Sequence, residues 1–249
     1  MKRSFALFTP LLLSTVLISV AAISPSGSQL AEIMNILTVQ EESRTFNVSN
    51  FDKLDLGSAF TIHVSHGSGY KVTASGRSSD LEDLEAKVSG GKLQVRYKDR
   101  LGNRNRQRVT VNITMPELSS VEFSGASRSD VTGFRNVKEL GVSISGASSS
   151  TVEVDAERVM IDLSGASSVT LTGQAKRLQG DVSGATTLKA YDLKVASATV
   201  DISGASSARM HVTDKLDAQA SGASNLTYRG SASLRSNTSG ASSIRSSDR

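Results

Sequence analysis

No cysteine and no tryptophan occur in the 249-residue sequence, and proline appears only three times. Without cysteine there is no disulfide scaffold, no thiolate metal ligand and no cysteine nucleophile. Aromatic residues make up 4% of the chain, and every phenylalanine lies at or before Phe134. The C-terminal half must therefore bury Val, Ile, Leu, Ala and Met, which suits a thin core. An apolar fraction of 38% is low but sufficient for one, so disorder is not expected. The formal charge is +4. It falls to about +2 without Lys2 and Arg3, too small a bias to imply a nucleic-acid partner. Gly-x-Ser-x-Gly elbows, Walker loops and Gly-x-Gly-x-x-Gly turns are also missing, which argues against serine-hydrolase chemistry and nucleotide binding.

Lys2 and Arg3 precede an apolar run from Phe5 to Ile23, and Val20-Ala21-Ala22 offers small residues for cleavage. Residues 1–22 are read as a signal peptide, with a retained anchor as the alternative. The expected location is secreted, periplasmic or cell-envelope, with no transmembrane span after cleavage. Residues 23–43 are read as a connector and 44–118 as an N-terminal β region forming the first, irregular coils. Residues 119–249 are read as regular coils.

Those coils announce themselves by repetition. The triplet Ser-Gly-Ala begins at Ser124, Ser145, Ser164, Ser183, Ser203, Ser221 and Ser239, at intervals of 18 to 21 residues. Apolar residues occupy positions five, three and one before each serine, as in Val159/Ile161/Leu163, and positions five and seven after it, as in Val169/Leu171. Such alternation marks strands with one face inward. The period predicts an all-β fold, a right-handed parallel β-helix, or solenoid. Continued through the triplet, the alternation points Gly125, Gly146, Gly165, Gly184, Gly204, Gly222 and Gly240 inward, where a Cβ would crowd neighbouring coils. The flanking serines are expected to form hydroxyl ladders between coils. The inward column fades to Leu234/Ser236/Thr238, so the last coil should bury the least.

The Ser-Gly-Ala-Ser corners, the period near 20 and the upstream stretches "FNVSNFDKLDLGSAFTIHVSHGSGYKVTASG" and "VTVNITMPELSSVEFSGAS" together resemble the GIN-domain family of autotransporter adhesin head domains. The resemblance spans roughly Ser43 to Ser243. It implies a bacterial envelope or secreted β-helical protein whose corners are structural, and it brings no catalytic residue.

Candidate sites on the surface are few. Asp162, Asp181 and Asp201 hold the same outward position on successive coils and could bind Ca²⁺, although a single column offers few ligands. No other cofactor is expected. Arg96, Lys98, Arg100, Arg104, Arg106 and Arg108 form a basic loop that could contact an anionic polymer, with a solvated hairpin tip as the plainer alternative. His63 and His66 should face opposite ways and His211 should face solvent, so no shared metal is expected. A glycosidase needs two carboxylates in different environments, which a repeated column does not supply. The chain is therefore read as a non-catalytic binding or adhesion module for a cell-surface polysaccharide or protein. A polysaccharide-active enzyme and a self-assembling structural protein, hence a homo-oligomer, remain the alternatives.

Overall fold

Each apolar alternation in the sequence becomes an alternation of buried and exposed side chains, as in Thr61–His66, where Ile62 and Val64 are buried beside exposed His63 and Ser65, and in Thr110–Met115, where Val111, Ile113 and Met115 are buried and Asn112 is exposed. The computed structural model describes residues 42–98 and 105–247; the expected signal peptide and nearly all of the connector lie outside them. Over the described residues the fold is a β-solenoid of about 7 turns.

Its N-terminal region does not stack coils in chain order. Strand β1 (Glu42–Phe46) starts the described chain, its first two residues falling at the end of the stretch expected as connector. Strands β2 (Lys53–Leu56) and β3 (Thr61–His66) form a turn around the corner 57–60. β2 pairs in parallel with both β6 (Lys92–Tyr97) and β8 (Ser120–Phe123). β3 pairs in parallel with both β7 (Thr110–Met115) and β9 (Arg128–Ile144). The first turn in sequence thus lies between two turns made later. Beyond it, β4 (Lys71–Gly76) runs antiparallel to β7, β1 antiparallel to β4, and β5 (Leu84–Ser89) antiparallel to β6. These strands end the parallel ladder. A single helical turn, α1 (Ser78–Glu82), links β4 to β5.

The regular coils follow. β9, β10 (Ser149–Leu163), β11 (Ser168–Val182), β12 (Thr187–Ile202) and β13 (Ser207–Ala220) stack in parallel, one coil each. They are coils one to five below. β14 (Asn225–Arg229) and β15 (Ser233–Thr238) form the sixth, and β16 (Ser243–Ser246) begins the seventh. The interior is one continuous column of Val, Ile, Leu, Ala and Met, with Val159, Ile161 and Leu163 at most 3% exposed. At the C-terminal end the column gives out. Every residue of β15 is exposed, and Leu234 stands 40% open.

At the corners one expectation fails. The triplet glycines are exposed, and the inward place belongs to the fourth residue, Ser127, Ser148, Ser167, Thr186, Ser206 and Ser224, each at most 3% exposed. The reason is the backbone. Gly125 through Gly240 in this series have φ between +71° and +79°, a left-handed conformation that interrupts the alternation, so Gly and Ala both leave the interior and the next residue enters it. A Cβ on these glycines would point along the solenoid axis. It would come within 2.5 Å of the Gly184 carbonyl oxygen at Gly204, and within 2.7 Å of the Gly204 oxygen at Gly222. That same carbonyl accepts the Ala N–H of the next coil, as in Ala205 N to Gly184 O and Ala223 N to Gly204 O, both 2.8 Å. The ladder therefore runs unbroken around the corner. The buried hydroxyls complete it: Ser127 donates to Ser148 (3.1 Å), and Ser148 to the Ser145 carbonyl (2.8 Å). Ser129 and Ser150 repeat the pairing at 2.7 Å one step inward.

The corner 57–60 is a shifted copy, with Ser58 in the place of the glycine at φ 100° and the fully buried Phe60 in the place of the inward serine. Two outcomes follow. Replacing Gly165 by Val should cost about 3 kcal/mol or more through left-handed strain and displacement of the coil before it, lowering Tm by roughly 10 °C in a thermal melt. Replacing Ser58 by Gly should relieve about 1 kcal/mol of strain, partly offset by a freer unfolded chain, and raise Tm by roughly 2 °C.

Candidate functional site

Opposite the Ser-Gly-Ala corners each coil bends a second time, and there the coils differ in length. Val131 and Leu140 of the first coil align with Val152 and Val159 of the second, so the first bend is two residues longer. Thr170 and Leu178 of the third align with Lys189 and Ala198 of the fourth, which is one residue longer again. The second and third coils are recessed between two ridges. The resulting groove measures about 600 Å³. Its floor holds Val137, Ala156 and Ala175, aligned on three coils. Asn136 and Lys138 rise from the first coil at one end, and Lys194 and Ala196 from the fourth at the other.

Two carboxylates line this groove, Asp155 and Glu157, and both are ion-paired within the chain. Arg135 donates to Asp155 at 2.8 Å and also to Glu153. Lys176 donates to Glu157 at 2.7 Å, and that hydrogen bond and charge hold the Glu157 carboxyl below its ordinary range. Lys194 lines up with Gln174, which lines up with Asp155. Basic residues recur once per coil in the sequence as Arg158, Arg177, Lys194 and Lys215, but Ser197 is the residue in register with Arg177 and Lys215, and Lys194, three residues earlier, lies in the groove. A second cleft of about 560 Å³ lies beside the first bend, bordered by Asp52, His66 and Glu117. His66 packs edge-on against Phe134 there at 5.8 Å.

The aspartate column has the expected register: Asp162, Asp181 and Asp201 are successive partners, all exposed, bounded by Ser143 and Gln219. They stand one coil apart, about 4.8 Å, in single file. Among the described residues no three acidic or histidine side chains gather to hold a metal ion.

The basic loop occupies the place of a tight corner between β6 and β7, and among its residues Lys98, Arg106 and Arg108 bond within the chain. Arg100 and Arg104 lie outside the described residues. Arg106 stacks on the Tyr97 ring at 4.0 Å and pairs with Asp83 at 2.5 Å. Lys98 caps the Glu82 carbonyl (3.0 Å), and Arg108 reaches the carbonyls of Phe60 (3.3 Å) and Ala126 (3.2 Å). Arg96 borders a small cavity with Asp55 and Tyr97. The anchor that sequence reasoning missed is Asp80, only 1% exposed, which accepts two hydrogen bonds from Arg77 and one from the Gln107 N–H. Its signal was the i,i+3 spacing of Arg77 and Asp80 in a one-turn helix.

Burial under this loop, with Asp80 close by, pushes the Tyr97 hydroxyl up from 10.0 to about 12. The folded state then holds its proton longer than the unfolded state. Tyr97's contribution to stability should be complete below pH 10 and lost as pH rises toward 12. In an alkaline absorbance titration one of the four tyrosines should ionise near 12, and Tyr97→Phe should remove that step.

Comparison with known proteins bears on the whole scaffold. Among solved structures, a "putative adhesin" from Bacteroides fragilis superposes with a TM-score of 0.78 at 18% identity, covering 84% of this chain and 98% of that one. A "putative lipid binding protein" from Parabacteroides distasonis gives 0.65 at 17% identity, covering 84% and 97%. A "putative adhesin" from Parabacteroides merdae gives 0.62 at 15%, covering 84% and 97%. At such identities the likeness is one of fold. No curated protein matches the sequence. No helix among the described residues is long and apolar enough to cross a membrane. Residues 50–232 match the family described as "Putative auto-transporter adhesin, head GIN domain", and the chain belongs to that family.

Proposed function

We propose that the protein is a non-catalytic binding module, displayed in the cell envelope or secreted, which holds a surface polysaccharide or protein partner in the groove opposite its Ser-Gly-Ala corners. The observation that carries this reading is the groove itself, with a small apolar floor between polar walls, the composition of a ligand site. Family membership supports it. Its chemistry opposes catalysis. Glycoside hydrolysis needs a carboxyl held protonated near neutral pH beside an ionised one. In the groove Glu157 is held below its ordinary range by Lys176, the wrong direction for a general acid, and Asp155 is bound to Arg135.

A second reading, self-association through the C-terminal end, is favoured by the exposed β15 strand and by Leu234. An elution volume that shifts with protein concentration would support it.

The primary test incubates purified protein with a panel of envelope and extracellular polysaccharides and surface proteins, recording both retention and new chain ends. Retention with no new ends is expected. New chain ends would replace the binding reading with an enzymatic one, and absence of retention on every member of the panel would overturn it.

A further inference from the structure

The groove has a direction and a charge pattern, and together they narrow its ligand. It crosses the coils along the solenoid axis, from the first coil to the fourth, a span of about 14 Å at the spacing of parallel strands. A ligand filling it is therefore extended, several monomer units long. The floor of Val137, Ala156 and Ala175 offers an acyl chain only three small apolar side chains, and no aromatic ring among the described residues lines it for stacking. Recognition rests on hydrogen bonds and charge.

Amide groups are supplied by Asn136 and Gln174, suited to hydroxyl partners. Because Arg135 is shared between Asp155 and Glu153, and Lys176 pairs with Glu157, the ammonium groups of Lys138 and Lys194 are the groove cations left outside these ion pairs, one at each end of the floor. Neither lysine makes a salt bridge within hydrogen-bonding reach among the described residues. Resting on the reading of this groove as the binding surface, we propose that it selects an acidic polysaccharide, laid along the axis with one anionic group at Lys138, another at Lys194, and the intervening sugar hydroxyls on Gln174 and Asn136. Two positive charges separated by several coils match a polymer whose negative charge recurs along its length. A neutral glycan would leave both without a partner.

The test is titration calorimetry of the full chain with oligogalacturonate, oligomannuronate and a sulfated galactan, each beside its neutral counterpart, and with polyglutamate as an acidic peptide. An acidic glycan should bind at least tenfold more tightly than its neutral form and weaken with added salt. The double variant Lys138→Gln/Lys194→Gln should lose roughly tenfold in affinity with an unchanged melting temperature, while Lys189→Gln, on another face, should lose nothing. Equal affinity for neutral glycans would overturn the acid selectivity and leave the binding reading standing. Equal binding of polyglutamate would overturn the glycan assignment, and undiminished binding by the double variant would overturn the site. If no glycan binds, the inference fails; retention of a protein in the earlier panel would then show that the binding module survives without it.

Discussion

The contact on which the solenoid depends is a close approach between backbones. At each Ser-Gly-Ala corner the carbonyl of one glycine accepts the alanine N–H of the next coil at 2.8 Å, and this fixes how near two coils can come. Everything else adapts to that contact. The left-handed glycine turns the chain without breaking the ladder, and the residue after alanine is thereby driven inward. Because that inward site is small and ringed by carbonyls, a hydroxyl fills it better than an apolar side chain would. Ser148, Ser167, Ser224 and Ser242 each donate to the carbonyl three residues before them. Phe60 takes that place only at the corner where the ring of Tyr97 packs against it at 5.3 Å.

With one edge of every coil held to a common geometry, variation in length collects at the other. The Ser-Gly-Ala edge is uniform and presents little but Ser, Gly and Ala, whereas the opposite bend carries the insertions, the charged pairs and the groove. This division assigns structure and recognition to different edges of the same coil, as loops on a rigid scaffold commonly do. The basic loop belongs to the structural side of that division. Lys98, Arg106 and Arg108 tie it to α1, to Asp83 and to the first corners, so its described charges hold the end of the solenoid together.

The sequence made the period, the strand faces and the family legible because each is a local pattern repeated many times. It hid the direction of the glycines, because an alternation count assumes extended backbone and Gly146 or Gly165 at φ +75° to +77° is not extended. Lys194 falls outside the basic column because recurrence once per coil does not fix register: Arg177 pairs with Ser197, and Lys194, three residues earlier, pairs with Gln174. The pairing of β2 with both β6 and β8 left no local trace, since a strand carries no mark of which later strands will flank it. Asp80 carries no local mark of its role, since an acidic residue in a polar stretch is ordinarily solvated, and its burial and its bond to the Gln107 N–H identify it as a tether.

That pairing order has a consequence for how the chain is made. β2 and β3 gain their neighbours on one side from residues 92–115 and on the other from residues 120–132. A chain delivered N-terminus first cannot finish its opening turn until Thr132 is available, so the start of the solenoid waits on a later part of the chain. The later coils have no such debt to the future: each can dock on a finished template as soon as its own corner appears. The pairing order thus sets the closure of the opening turn apart from the later coils, whose strand pairings with earlier residues are all to the coil just before them.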